Sequence, residues 1–416
     1  MAAVSPPPLL VLSPIEPRTS GNGLAMRAAT MVAAARALAD VTVVVVPVAG
    51  TPPGRPSDLR VPVHVAAPVP PGRSRAATAA LLAVATWRDL LAEIGHVPGL
   101  PVASPALAAS VVPASMMTGT AVLALRSYLG PLGLAVAERL QAPWTALDLD
   151  DDDEAVASAQ GSDAAAVRRL VAAVATRYDA VSLASPVDAE GVARRLGVGT
   201  HTVPNAVAVP AVRPPARPGR DRVLFVGNLS YPPNVGAAMD LAERVVPEVR
   251  RRLGRPVRLQ LVGAHRADGP LPRLATLPGV EVTGWVEDLA PLYAAADVVV
   301  APLAVGSGTR IKLLEAFAMG VPVVTTPVGS AGLAVRAGTH LLVGHTPDQV
   351  AAATAAVLDD TALGDRLAAA AFDLVSARYA HAVVAGDVAG FLAAAADHGT
   401  RRAPAVRATA GRRRRP

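Results

Sequence analysis

The sequence predicts an α/β protein made of two doubly wound, parallel-sheet domains, and three observations carry that prediction. First, short aliphatic runs alternate with longer alanine-rich stretches of helical pattern: LLVLS (9–13), VTVVVVPV (41–48), VLFVGN (223–228), VRLQLVG (257–263), VEVTG (280–284), ADVVVAPL (296–303) and VPVVTT (321–326). Runs apolar at every position suit strands covered on both faces, which is the condition of a parallel sheet flanked by helices. Second, the proline-rich stretch VPNAVAVPAVRPPARPGR (203–220) divides the chain almost in half and reads as an interdomain linker. Third, each half opens alike, with an apolar strand, a Gly/Pro/Asn-rich loop and a helix: VLSPIEPRTSGNG in the first, VLFVGNLSYPPNVG in the second. Two such domains facing one another place a ligand in the crevice at the carboxyl ends of their strands.

Composition narrows the class. With 416 residues the chain is long enough for two real cores. The absence of cysteine removes disulfide frameworks and thiolate metal sites. The proline triplet precedes the first apolar run without a basic n-region, so no signal peptide is expected. No apolar stretch reaches the ~18 residues of a membrane span. A cytoplasmic protein is expected. The net charge of +6 is concentrated in RRAPAVRATAGRRRRP, the last sixteen residues, which carry seven arginines and no acid. Residues 399–416 therefore read as a disordered basic tail, either merely solvated or attracted to anionic lipid at the inner face of a membrane. Aromatic residues make up only 3%, too few for base-stacking platforms, so nucleic acid is not an expected partner.

In chain order, the first strand leads through SGNG, with Gly21 and Gly23, into a helix over 24–38. Residues 1–205 form the first domain, 206–220 the linker and 221–380 the second domain. Thr346-Pro347-Asp348-Gln349 has the signature of a helix start: a hydroxyl cap, proline at the first helical position and glutamine at capping-box spacing. The last helix, within 381–398, is expected to return to the first domain. His340, His345 and His381 read as structural or exposed.

The most informative stretch is GSGTRIKLLEAFAMGVPVVTT, Gly306 to Thr326. It reads as a glycine loop after a strand ending near Leu303, a helix from about Thr309 to Met319, Gly320 at C′, and a further strand. Lys312 is the one lysine in a chain whose other basic residues are arginine or histidine. Arg310 and Lys312 stand in the first helical turn, where cations oppose the helix dipole by roughly 0.3–1 kcal/mol each. An anion on the helix end reverses that sign, and a diphosphate fits the combination of glycines, N–H donors and two cations. Glu315 borders the buried face, where a carboxylate can accept hydrogen bonds from a sugar hydroxyl pair. The plainer alternative is an ordinary i,i+3 pair between Lys312 and Glu315.

These pieces, taken in order with FVGNLSYPPNVGAAMDL, LVGAH, VTGWVEDLAPLYAAADVVVAPL and GTHLLVGHTPDQVAAA, resemble the nucleotide-sugar-binding domain of the GT4 family of retaining glycosyltransferases, which have the GT-B fold. The resemblance covers roughly 222–380; the first half is similar more loosely, through SGNG, LDLDDDDE and VPNAV. It implies transfer of a sugar from a nucleotide diphosphate sugar to an acceptor with retention, without a cofactor or a metal. It implies that Glu315 binds the ribose, that Gly308, Thr309, Arg310 and Lys312 hold the diphosphate, and that Gly284 and Trp285 lie beside the nucleobase. Gly227, Asn228, Gly263 and Leu314 complete the donor side. Gly329 to Leu333 fall near the sugar, and Gly21 and Gly23 approach the diphosphate from the first domain. The first of the family's two glutamates, separated by seven residues, falls here at Ser307. Where a histidine often serves the family, this chain offers Arg126 and Tyr128; His96 reads as a surface residue.

The run Asp148-Leu-Asp150-Asp-Asp-Asp153-Glu154 admits three readings: divalent-metal ligation through carboxylate oxygens, a cleft role for Asp148 or Asp150, and a solvated strand-end loop. For the protein as a whole, a glycan, lipid-linked or natural-product acceptor is open, and so are the alternatives of a non-catalytic nucleotide-sugar-binding protein and a GT-B-fold epimerase. A dinucleotide-dependent oxidoreductase lacks its fingerprint, a GxGxxG followed about twenty residues on by an acid.

Overall fold

The computed structural model describes residues 6–46, 56–66, 112–113, 115–159, 161–215, 221–306 and 308–412. It divides into two compact units, one of Met1–Pro204 with Ala385–Pro416 and one of Asn205–Val384. Each is a parallel sheet flanked by helices, as the unbroken aliphatic runs predict.

In the first unit the strands β1 (Leu9–Ser13), β2 (Val41–Val45), β3 (Val63–Val65), β4 (Ala121–Leu125), β5 (Thr145–Asp150), β6 (Ala180–Leu183) and β7 (Thr200–Thr202) are ordered β3-β2-β1-β4-β5-β6-β7. Every residue of β1, β4, β5 and β6 is buried, as strands covered by helices on both sides require; most of these side chains are apolar, with Asp148 and Asp150 of β5 the charged exceptions. The helix after β1 runs Gly23–Ala35, shorter than expected; the Asn22 side chain caps it, its Oδ1 accepting from the Leu24 N–H at 2.8 Å.

In the second unit β8 (Arg222–Val226), β9 (Arg258–Val262), β10 (Val280–Thr283), β11 (Val298–Ala301), β12 (Val323–Thr325) and β13 (Leu342–Val343) are ordered β10-β9-β8-β11-β12-β13, all parallel. The order reverses direction between β8 and β11, so the loops leaving those two strands open a gap at their carboxyl ends. Phe225, Val299, Leu313, Leu314 and Phe317 are among the fully buried residues of this unit's core.

Two expectations change. The described part of the proline-rich stretch is a packed arm of the second unit rather than a free linker. Val207 is buried and its N–H donates to the Tyr379 carbonyl at 2.9 Å, and Arg213 pairs with Asp365 at 2.8 Å. A valine with a core to enter outweighs the surrounding prolines, which composition alone makes look like punctuation. The expected tail also differs, because the last helix runs His381–Arg412 without a break at 399. Val388, Phe391, Leu392 and Ala395 anchor its first half in buried positions.

Candidate functional site

The helix of interest runs Ile311–Ala318, two residues later at its start than expected. Arg310 is therefore its N-cap, with extended φ −82° and ψ 92°, and its side chain makes no capping hydrogen bond. Lys312 alone stands in the first turn. Gly306 has φ 144°, and a Cβ there would lie 2.6 Å from an Arg310 guanidinium nitrogen. The loop glycine thus makes room for the arginine to fold back over the backbone.

Lys312 reaches out of its helix to β8. Its Nζ donates to Asn234 Oδ1 at 2.7 Å and sits 4.5 Å from the centre of the Phe225 ring. A Cβ on Gly227 would be 2.9 Å from both the Lys312 ammonium and the Asn234 amide nitrogen, so the strand end must be glycine for the two to meet. Burial pushes the Lys312 ammonium down to about 7, the Arg310 charge adding to the fall and Glu315 opposing it. The i,i+3 pairing considered from sequence is not the bond the ammonium makes. Glu315 instead accepts from the Tyr293 hydroxyl at 2.8 Å, and the same hydroxyl lies 3.3 Å from the Lys312 carbonyl. Burial raises Glu315 to about 6, while Tyr293 and Lys312 hold it lower than burial alone would. Arg310, Lys312 and Glu315 thus form a partly buried cluster at the β8/β11 gap, with charges made costly by desolvation. Such a cluster gains by meeting an anion and hydroxyl groups.

The other expected donor residues fall around this cluster unevenly. Asn228 follows β8, its Oδ1 accepting from the Ser230 N–H at 3.0 Å and its carbonyl from Asn234 Nδ2 at 3.0 Å. Gly263, at the end of β9, has φ 146°, and a Cβ there would run into the Gly227 carbonyl. The N–H of Gly263 in turn donates to Thr283 and Gly284 carbonyls at 3.1 and 3.2 Å. Trp285 follows with 49% exposure, a large ring left at the surface next to those strand ends. Thr309 is buried, its Oγ1 accepting from the Asn205 N–H at 3.3 Å, and Gly308 has φ 71°. The Leu314 side chain is fully buried in the unit's core, so it does not line the gap. Helical spacing puts position 314 on the side opposite the ammonium. Gly329 is buried in the short helix Pro327–Ser330, capped by Thr326. Ser307 and His96 lie outside the described residues.

Sequence reasoning missed Asn234, Tyr293 and Phe225. The first carried a faint signal, an amide in the opening turn of the Pro232–Asp240 helix at a position that is buried.

The remaining candidates belong to the first unit and form an arginine–carboxylate network at the end of β5. Arg126 donates to Asp150 at 3.2 Å, Asp151 at 3.0 Å and Asp153 at 2.6 Å. Asp148 is fully buried, accepting from Arg27 at 2.6 and 3.0 Å and from Ser182 Oγ at 2.8 Å. Asp152 meets Arg195, and Glu154 meets Arg168 and Arg195. The acidic run is accordingly neither a solvated loop nor an open ligand set: its charges are spent on arginines brought from other elements. Burial raises Asp150 to about 7, repulsion from Asp151 adding to the rise and Arg27 and Arg126 opposing it. Both Arg126 and Asp150 have positive φ, 77° and 66°, a strained backbone at each end of their bond. Arg27 was also missed, although a lone charge in the otherwise apolar helix GLAMRAATMVAAA is a signal that a buried partner exists. Gly21 (φ 96°) and Gly23 flank the Asn22 cap in this unit, and Tyr128 has its hydroxyl pushed up by burial.

Among known proteins, residues 220–360 match the model of the family described as glycosyl transferases group 1, a segment that contains the whole Arg310–Lys312–Glu315 cluster. No curated protein matches the sequence. Solved structures share the fold. HepE of Anabaena, in complex with UDP and glucose, is 15% identical over 92% of this chain and 99% of its own, with a TM-score of 0.62. Sucrose-phosphate synthase of Thermosynechococcus elongatus is 18% identical over 92% and 98%, with a TM-score of 0.61. A TarM variant of S. aureus, in complex with fondaparinux, α-GlcNAc-glycerol and UDP, is 12% identical over 65% of this chain, with a TM-score of 0.55. The chain spans 55% of the TarM chain's length. The fold is therefore that of the two-domain GT-B glycosyltransferases. Among the described residues no helix is long and apolar enough to cross a membrane.

Proposed function

We propose that the protein is a glycosyltransferase of the group 1 type whose second unit binds a nucleoside diphosphate sugar. The observation that carries the proposal is the position of Lys312: the sole lysine, partly buried and depressed toward neutrality, is held over a strand-end glycine at the gap where the sheet order reverses. It does so inside the segment that matches the glycosyltransferase family model.

On this reading the diphosphate rests between Arg310, Lys312 and the first turn of the Ile311–Ala318 helix. Its charges meet two cations and the positive end of the helix dipole in a site partly shielded from water. Glu315, held by Tyr293, accepts the ribose hydroxyls, and the exposed Trp285 borders the base. As the glycosyl–phosphate bond breaks, negative charge grows on the departing diphosphate, and the two cations stabilise it more in the transition state than in the ground state. Arg310 and Lys312 provide there the positive charge that a divalent ion provides elsewhere. Retention follows from front-face attack, the departing phosphate taking the proton of the acceptor hydroxyl, so no side-chain nucleophile is required. A glycan, lipid-linked or natural-product hydroxyl fits the acceptor role. The bound UDP in HepE and TarM supports a nucleoside diphosphate in this protein too.

The test is a thermal-shift titration with UDP, GDP, dTDP and ADP, without added metal, on the wild type and on Lys312→Ala. Stabilisation by one nucleotide that disappears in the variant is the expected result. Equal stabilisation of both proteins, or of neither, removes the assignment.

A further inference from the structure

We infer that Asn234 is a positioning residue for Lys312, fixing the ammonium over the end of β8 so that it is already placed for an incoming diphosphate. This rests on the donor-site reading above and gives a role to a residue that helical spacing does not single out.

An ammonium only donates, so the Asn234 atom 2.7 Å from Lys312 Nζ must be the amide oxygen. A carbonyl only accepts, so the atom 3.0 Å from the Asn228 carbonyl must be the amide nitrogen. The two neighbours therefore fix the amide's orientation from both ends. Asn234 is itself only 9% exposed, on the helix Pro232–Asp240, and its N–H donates to the Tyr231 carbonyl at 2.9 Å. The chain from strand end to amide to ammonium is thus hydrogen-bonded at every joint. An ammonium on a four-carbon stem otherwise has much rotamer freedom to lose on binding. With Asn234 present that freedom is removed before the ligand arrives, which is the source of preorganised affinity.

Geometry also shows why the partner is an amide. The charged groups facing Lys312 are Arg310, which disfavours its proton, and Glu315, which favours it; β8 contributes the Phe225 ring, and the Tyr293 hydroxyl turns to Glu315 and to the Lys312 carbonyl. A carboxylate at 234 would neutralise the ammonium and repel a diphosphate. A neutral acceptor orients the ammonium and leaves its charge for the ligand.

Because the chain has one lysine, the group can be observed alone. Protein labelled with [ε-13C]lysine gives a single side-chain resonance, to be titrated from pH 5 to 11 in wild type, Asn234→Asp and Asn234→Ala, and again with pyrophosphate and with UDP. The wild-type midpoint is expected near 7 in the free protein, rising when pyrophosphate binds. Asn234→Asp, nearly isosteric, is expected to raise the free midpoint by more than one pH unit and to weaken pyrophosphate at least tenfold. Asn234→Ala is expected to weaken pyrophosphate and UDP about tenfold with the fold intact; should it not fold, the aspartate variant decides. A buried amide of purely structural worth would shift melting temperature without moving the lysine titration or the pH dependence of pyrophosphate binding, and that result overturns the inference. If wild type binds neither pyrophosphate nor UDP, the donor reading fails, and Asn234 is judged on the free lysine titration alone.

Discussion

The Lys312 ammonium donates a hydrogen bond to the side-chain oxygen of Asn234 at 2.7 Å, across 78 positions of sequence, rather than to Glu315 one helical turn away. That choice turns the charge off its own helix and toward the strand ends. Removing it should be felt in chemistry more than in folding. Lys312→Ala is expected to lower turnover by about 10²–10³-fold, the scale of losing one preorganised transition-state donor. The melting temperature should stay at or above that of wild type, since a desolvated cation is lost with it. A turnover within a factor of a few of wild type would remove Lys312 from the site.

Tyr293 separates the two halves of the proposed ligand. Its hydroxyl holds Glu315 but touches no other site side chain in the described structure. Tyr293→Phe should weaken UDP binding about 10- to 100-fold, the cost of a misplaced charge-assisted hydrogen bond of roughly 1.5–3 kcal/mol. Pyrophosphate, which has no ribose, should bind the variant as it binds wild type. Calorimetric titration with both ligands checks this, and an equal loss for the two would detach Glu315 from the ribose.

Arg27 carries the largest structural consequence. It is 1% exposed and bonded to Asp148, which leaves an uncompensated buried carboxylate if the guanidinium is removed. Arg27→Met is expected to destabilise the first unit by about 3–5 kcal/mol in urea unfolding. The double change Arg27→Met with Asp148→Leu should recover much of that loss, because neither charge then remains.

Two raised acids and one lowered base have the large shifts that shape the pH dependence of stability. Asp150 moves from 3.8 to about 7 and Glu315 from 4.5 to about 6, so between those limits the folded chain binds more protons than the unfolded one. Stability from these groups is present below the lower limits and is lost as pH rises through 6 and 7. Lys312 moves from 10.5 to about 7, so the unfolded chain binds more protons in that interval and stability is regained as pH rises from 7 to 10.5. Urea unfolding of the free protein at pH 4.5, 7 and 9.5 should show its lowest stability near neutrality. Asp150→Asn should flatten the fall between pH 4 and 7; an unchanged slope would show that Asp150 is ionised throughout.

Gly263 gives a backbone test. A methyl group there meets the Gly227 carbonyl at a φ of 146°. Gly263→Ala should cost about 1–3 kcal/mol from crowding and strain and also weaken UDP, because the β8 and β9 ends must move apart. Unaltered UDP affinity in a destabilised variant would disconnect Gly263 from the site.

Much was written in the chain itself. Continuous aliphatic runs such as VVVA and LLVLS can be buried only between two layers of helix, so they specified parallel sheets without any tertiary information. Thr346 and Gln349 likewise specified a helix start: Thr346 accepts from the Gln349 N–H at 3.2 Å, and Gln349 Oε1 reaches back to the His345 N–H at 2.8 Å. The ordered set of glycine loop, Arg310, Lys312 and Glu315 was legible too, because their types and spacing fall on one short helix and the loop that leads into it. What only the tertiary structure decided is which groups those side chains meet. Asn234 faces Lys312 because β8 and β11 are neighbours, and hydrophobic period tells that a strand exists but not which strand lies beside it. The same is true of the acidic run, whose carboxylates admit metal, cleft and solvated readings in sequence and are matched in space by Arg27, Arg126, Arg168 and Arg195. Local spacing fixes the contacts within a turn or two, whereas a buried charge is satisfied by whatever the sheet order carries to it.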